Sequence, residues 1–79
     1  MPDVKYEIVE ELGSIDLKNK WRLELNLISW NEKPAKYDIR KWTNGREKMS
    51  KGITLTREEL IALKTLFDEE VEYLNNIDD

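Results

Sequence analysis

The stretch that decides the fold is WRLELNLISW, residues 21–30. One set of alternate positions holds Trp21, Leu23, Leu25 and Leu27, and the other set holds Arg22, Glu24, Asn26 and Ile28. A period of two is that of a β-strand with one apolar face. This stretch is the clearest strand in the sequence.

Further strands are predicted on both sides. Residues 4–12 alternate in part, and Gly13-Ser14 permits a bend or bulge before the next apolar pair. Residues 16–20 form a predicted turn, and residues 31–34 a hairpin loop before a third alternating stretch at 35–42. Asn44-Gly45 is a strong hairpin signal because both turn positions need a positive φ. A short fourth strand then ends at about residue 55.

A helix is predicted to follow at once. Thr56 with Glu59 forms a capping box, and nothing up to about Asn75 breaks a helix. The apolar positions Leu60, Leu63, Phe67, Val71 and Leu74 have helical spacing. Ile61, Leu66, Tyr73 and Ile77 widen this stripe beyond what one side of a four-stranded sheet needs. A well-covered core would explain the width, but the small size of the chain favours a helix shared with a second subunit.

The predicted fold is therefore α+β: a four-stranded antiparallel meander followed by one C-terminal helix, β-β-β-β-α, in one domain over residues 1–79. The residues expected to face the helix are Tyr6, Ile8, Leu23, Leu25, Leu27, Tyr37, Ile39, Ile53 and Leu55. The opposite sheet face is expected to be open to solvent or ligand.

Composition excludes many function classes. The chain has 79 residues with no cysteine and no histidine, which excludes disulfides, cysteine nucleophiles, histidine triads and almost every zinc or haem site. The first residues have no basic region and no apolar core, so we expect no signal peptide there, and no apolar run is long enough to span a membrane. We therefore expect a cytoplasmic protein with nucleoid association left open. We also expect no enzymatic activity, no metal or other cofactor, no membrane partner and no small-molecule substrate.

Positive charge is concentrated in the middle of the chain. The formal net charge is −4, yet residues 33–51 hold seven basic and two acidic residues, a net of +5. A basic middle on an acidic body suggests a face for polyanions. The alternative is a solvated hairpin whose lysines keep it soluble.

The predicted open face has the chemistry of a single-strand binder. Strand alternation puts Trp30, Lys36, Arg40 and Trp42 on this face or at its rim. Aromatic rings stack on unpaired bases while cations follow the phosphates. The alternative is that both tryptophans cap the sheet edges or pack in a dimer. Glu24 and Asp38 share the face and count against nucleic acid there.

Two motifs carry a resemblance. KYDIRKW at residues 36–42, then KGITLT at 51–56 with a helix opening after it, resembles the transcriptional positive-cofactor-four family, the transcriptional coactivator p15 family. VEELG at 9–13 and ELNLISWN at 24–31 look like its bacterial YdbC-type branch. The resemblance implies a homodimer with the helices at its centre, here through Leu63, Phe67, Val71 and Leu74. It also implies outward-facing sheets that hold single-stranded DNA with little sequence preference.

The family's functional positions can be matched one by one. Arg40 matches the arginine on the phosphate path, Trp42 falls near the aromatic pair, and Trp30 matches the aromatic that ends the second strand. The other implied nucleic-acid-binding positions are Lys20, Lys33, Lys48, Lys51 and Gly52, to which strand alternation adds Lys36. The serine- and lysine-rich arm of eukaryotic members is not in the sequence, so a coactivator role is not expected to carry over.

The expected function is non-sequence-specific binding of single-stranded DNA, with RNA left open, by a homodimer in transcription regulation, replication or repair. The alternative is a dimeric protein-interaction module whose open face binds a peptide or an RNA polymerase component.

Overall fold

The computed structural model describes residues 5–77 and places four antiparallel strands of this range in one sheet, followed by a helix. The elements are β1 (Tyr6–Asp16), β2 (Trp21–Trp30), β3 (Lys36–Thr43), a 3-10 turn (Asn44–Arg46), β4 (Ile53–Leu55) and α1 (Arg57–Asn76). The sheet order is β1-β2-β3-β4, which confirms the predicted β-β-β-β-α meander. The predicted strand position Val4 lies outside the described residues.

The left-handed pair of each tight turn begins with a residue that tolerates this region: Asn19, Asn31 or Gly45. Asn19 and Lys20 join β1 to β2 with φ values of 64° and 66°, and Asn31 and Glu32 open the β2–β3 loop with 54° and 65°. The turn predicted at Asn44-Gly45 is displaced by one residue. Its left-handed pair is Gly45 at 76° and Arg46 at 56°.

The β3–β4 connection is also longer than a two-residue hairpin. Trp42 still bridges to Met49, but regular pairing resumes only at Ile53. The loop therefore carries Arg46 away from the strand pair and towards the rest of the sheet.

The predicted capping box of α1 is confirmed. The Glu59 N–H donates to Thr56 Oγ1 at 3.1 Å, and the Thr56 N–H donates to Glu59 Oε1 at 2.8 Å. These two bonds satisfy donors that the first helical turn leaves free. Within residues 5–77, no helix combines the length and the apolarity that crossing a bilayer requires.

The helix covers less of the sheet than expected. Its main contacts are with β3 and β4, and Phe67 lines a groove together with Leu23, Leu25 and Ile39 on what we call the helix-side face. These sheet residues are only half-buried, Ile53 is exposed, and α1 has no buried residue in the single chain. In one chain taken alone, α1 therefore covers only part of the face that the sequence predicted to lie against it.

The opposite face contains the buried residues of the described chain: Glu24, Asn26, Ile28, Asp38 and Trp42. The sequence predicted that this face would be open to solvent, but the side chains at its centre are buried. The rings of Tyr6 and Trp42 contact each other there, although the two residues pair with opposite ends of β2. The sheet therefore curls towards this side, which we call the concave face, and its side chains cover one another.

Two residues of β1 were assigned to the wrong face. Tyr6 pairs with Trp30 and Ile8 pairs with Ile28, so both lie on the concave face rather than against the helix. The reason is that β1 has two register shifts, between Ile8 and Glu10 and between Glu11 and Gly13. Each bulge reverses the alternation of faces, and only the second is marked by a glycine.

Candidate nucleic-acid interface

A cleft of about 260 Å³ opens at one end of the concave face. We call it the Trp30 cleft, and it is lined by Trp30, Lys33, Pro34, Lys36, Arg40 and Thr54. The end of β2 provides the tryptophan, the β2–β3 loop provides Lys33 and Pro34, and β3 provides Lys36 and Arg40. Four residues predicted from the sequence to bind nucleic acid thus meet in one place.

Arg40 forms the base of this cleft. Its guanidinium lies 4.6 Å from the centre of the Trp30 ring, within cation–π range. Its Nε and Nη2 donate to the two carboxylate oxygens of Asp38 at 2.7 and 2.8 Å. The Arg40 side chain is only 13 % exposed, so it is fixed in position, whereas Lys33 and Lys36 are exposed.

Gly52 packs directly against Arg40. A Cβ at this position would collide with the Cβ of Arg40 and with the carbonyl oxygen of Ile39. The glycine therefore lets the segment before β4 lie close to β3. Its neighbour Lys51 is exposed.

The two buried acidic groups of the concave face, Asp38 and Glu24, are paired with arginines. Asp38 is held by Arg40, as described above. Glu24 accepts from Asn26 at 2.9 Å and lies 3.1 Å from both Arg22 and Arg46. Arginines thus compensate both carboxylates, which reduces the repulsion of phosphate that the sequence led us to expect.

A second group of charges lies around Arg46. We call it the Arg46 cluster: Glu11, Arg22, Glu24 and Arg46. Arg46 Nη2 is 3.1 Å from carboxylate oxygens of both Glu11 and Glu24. Desolvation lowers the pKa of Arg46, but the hydrogen bonds and charges of these carboxylates outweigh it and raise the pKa above its ordinary value. Sequence patterns gave no sign of this cluster, because its members come from β1, β2 and the β3–β4 loop.

Trp42 is not an open stacking platform. The side chain lies on the predicted side of β3, but the residue is 1 % exposed. Its ring contacts Tyr6 at 5.6 Å between centroids, and the Arg46 guanidinium lies 5.9 Å from the ring centre. In this conformation Trp42 is a packing residue. The prediction that it offers a free face to a base is corrected accordingly.

The remaining predicted lysines lie elsewhere. The Lys20 carbonyl accepts from the Asn44 N–H at 3.1 Å, and the Lys48 carbonyl accepts from the Thr43 N–H at 3.0 Å. Both residues are exposed at the end of the sheet opposite the Trp30 cleft, so the structure does not bring them to it.

Sequence reasoning also missed two residues that line the cleft, Pro34 and Thr54. Thr54 pairs with Asp38, so its place on the concave face could have been read from strand alternation. Pro34 had no such signal, because it lies in a loop.

No group of three or more acidic, histidine or cysteine side chains suited to a metal ion occurs within residues 5–77.

Known proteins similar to this chain support the predicted family. The family described as Transcriptional Coactivator p15 (PC4) matches residues 17–66. A protein of Treponema pallidum (strain Nichols), described as uncharacterized, is 48 % identical over 67 residues, which cover 84 % of this chain and 79 % of the relative. A relative in this organism is consistent with the bacterial branch indicated by the sequence. With this match over more than half of its length, the chain belongs to the Transcriptional Coactivator p15 (PC4) family.

Proposed function

We propose that the protein is a homodimeric single-stranded DNA-binding protein without sequence preference, acting in transcription regulation, replication or repair. The observation that carries the proposal is the Trp30 cleft, where an aromatic ring, a fixed arginine and two exposed lysines come together.

The cleft matches the physical needs of an unpaired strand. Stacking of a base on an aromatic side chain contributes about 1–3 kcal/mol to the binding free energy. The base can be of any type, because every base has a π-face. Lys33 and Lys36 are exposed beside Trp30 and can follow successive phosphates. The arginine below the ring is already committed to Asp38, so it fixes the platform more than it reads a base edge.

The rest of the surface disfavours a duplex. Reading a duplex commonly needs a helix or ribbon in the major groove. The exposed side of α1 instead carries Glu58, Asp68, Glu69, Glu70 and Glu72. These charges repel a phosphate backbone, so the sheet is the better candidate surface.

The proposed dimer explains the uncovered apolar residues. Phe67, Val71 and Leu74 are exposed in the single chain, as are Ile61 and Leu66 of the same helix. Below Phe67 lies a groove of about 480 Å³ lined by residues such as Leu23, Leu25 and Ile39. An apolar surface of this extent is typical of an interface. A second copy that packs through Leu63, Phe67, Val71 and Leu74 would cover the stripe and fill the groove.

A fluorescence titration tests the function. Oligo-dT, poly-U and a duplex are added separately to the protein at several salt concentrations, and the tryptophan emission is followed. We expect oligo-dT to bind more tightly than the duplex, with log affinity falling by about 0.7 per phosphate contacted for each tenfold rise in salt. A flat salt response, or no binding to oligo-dT at low salt, would contradict the proposal and favour a protein-interaction module.

A further inference from the structure

We propose that Arg46 is a second phosphate-binding position on the concave face, and that the Glu11 carboxylate occupies this position when nucleic acid is absent. Glu11 is then an intramolecular competitor of the bound strand. This inference rests on the proposed single-strand binding and assigns a role to two residues outside the Trp30 cleft.

The two carboxylates around Arg46 differ in how firmly they are held. Glu24 is 2 % exposed and also contacts Arg22 and Asn26, so it is a permanent partner. Glu11 is 66 % exposed, and its ion pair with Arg46 Nη2 spans 3.1 Å. An exposed ion pair contributes little to stability, so Glu11 can be displaced at small cost. A phosphate offers arginine a comparable charge-assisted contact.

The position is open to an incoming group. A cleft of about 290 Å³ is lined by Glu11, Arg22, Glu24, Thr43, Gly45 and Arg46. Arg22 lines the same cleft and its Nη2 donates to Glu24 at 3.1 Å, so a second guanidinium lies beside the position that a phosphate would occupy.

A line of contacts connects this cleft to the Trp30 cleft. The Tyr6 ring lies 5.3 Å from the ring of Trp30 and 5.6 Å from that of Trp42. The Arg46 guanidinium lies 5.9 Å from the centre of the Trp42 ring. A strand held at Trp30 can therefore continue along the same face past Tyr6 to Arg46.

The test compares two variants with the same change in charge. Glu11→Gln removes the competitor. Glu10→Gln is the control. Glu10 immediately precedes Glu11 in β1 and is also exposed, but it pairs with Leu27 and so lies on the helix-side face, away from Arg46. In oligo-dT titrations we expect Glu11→Gln to bind about two- to fivefold more tightly than Glu10→Gln, the range expected from releasing one exposed ion pair. Equal affinities would overturn the inference.

A double-mutant cycle then identifies the cation involved. Both changes are repeated in an Arg46→Gln background, where the side chain can still donate to Glu24 but has no charge for a phosphate. The advantage of Glu11→Gln over Glu10→Gln should disappear there, and its persistence would overturn the role of Arg46. If the unaltered protein does not bind oligo-dT, both proposals fail. If it binds and the two glutamine variants are equal, only the competitor role fails.

Discussion

The rings of Tyr6 and Trp42 lie 5.6 Å apart, although Tyr6 pairs with Trp30 and Trp42 pairs with Arg22, at opposite ends of β2. In a flat sheet, eight residues of strand would separate the two pairs by about 26 Å. The sheet must therefore curl strongly, and this curl buries Trp42 without any covering helix. The single chain thus has its small core on the concave face and leaves Phe67, Val71 and Leu74 of its apolar helix stripe uncovered.

Trp42→Ala should destabilise the fold rather than act first on binding. Removing a buried tryptophan leaves a cavity beside Tyr6 and typically costs about 3–5 kcal/mol. Chemical denaturation followed by circular dichroism measures the loss. Lys41→Ala, at the exposed neighbouring position, is the control and should change stability by less than about 0.5 kcal/mol. An unchanged midpoint for Trp42→Ala would show that the ring is not part of the core.

Arg40→Ala should also destabilise the protein, because it leaves Asp38 as a fully buried carboxylate without its cation. Breaking one side of a buried ion pair costs about 3–5 kcal/mol. Adding Asp38→Asn to the same chain should recover part of the loss, since the buried charge is then gone. Urea midpoints of the single and double variants check this expectation. Equal midpoints for Arg40→Ala and the unaltered protein would contradict it.

Lys36→Ala should weaken binding to oligo-dT without affecting the fold, because its side chain is exposed in the Trp30 cleft. One lost phosphate contact should reduce the slope of log affinity against log salt by about 0.7. Lys64→Ala is the matched control, since Lys64 lies on α1 and pairs with Asp68 at 2.6 Å. If both variants lower the slope equally, the effect reflects overall charge and not the cleft.

Phe67→Glu should separate the proposed dimer. Phe67 belongs to the apolar stripe of α1 and lines the groove beneath it, where a carboxylate would be desolvated on assembly. Sedimentation at micromolar concentration should give twice the chain mass for the unaltered protein and a smaller mass for the variant. Thr65→Glu places the same group on the side of α1 that carries Glu58, Glu69 and Glu72, and should leave the mass unchanged. A stable monomer of the unaltered chain would refute the dimer.

The sequence predicted those parts of the fold that depend on local patterns. The bounds of β2 and the capping box at Thr56 and Glu59 need only strict alternation and three-residue spacing. Strand alternation also placed Arg40 and Trp42 on the correct side of β3. It could not show that Trp42 is buried, because burial depends on how strongly the whole sheet curls.

Other features depend on contacts between distant segments. Tyr6 was misplaced because a bulge between Ile8 and Glu10 has no glycine to reveal it. The pairing of Arg46 with Glu24 joins residues 22 positions apart and follows from the path of a loop. The Trp30 cleft was predictable in composition, since most of its residues lie close together around the β2–β3 loop.

The two bulges of β1 also bear on what this sheet can join. β1 is an outer strand, and an unpaired backbone edge can template a further strand from another molecule. Irregular spacing along β1 interrupts that template, and β4 at the other margin offers only three residues. Open-ended growth of the sheet from chain to chain is thereby discouraged. The proposed dimer would instead form through the helix, where a pairwise contact closes on itself.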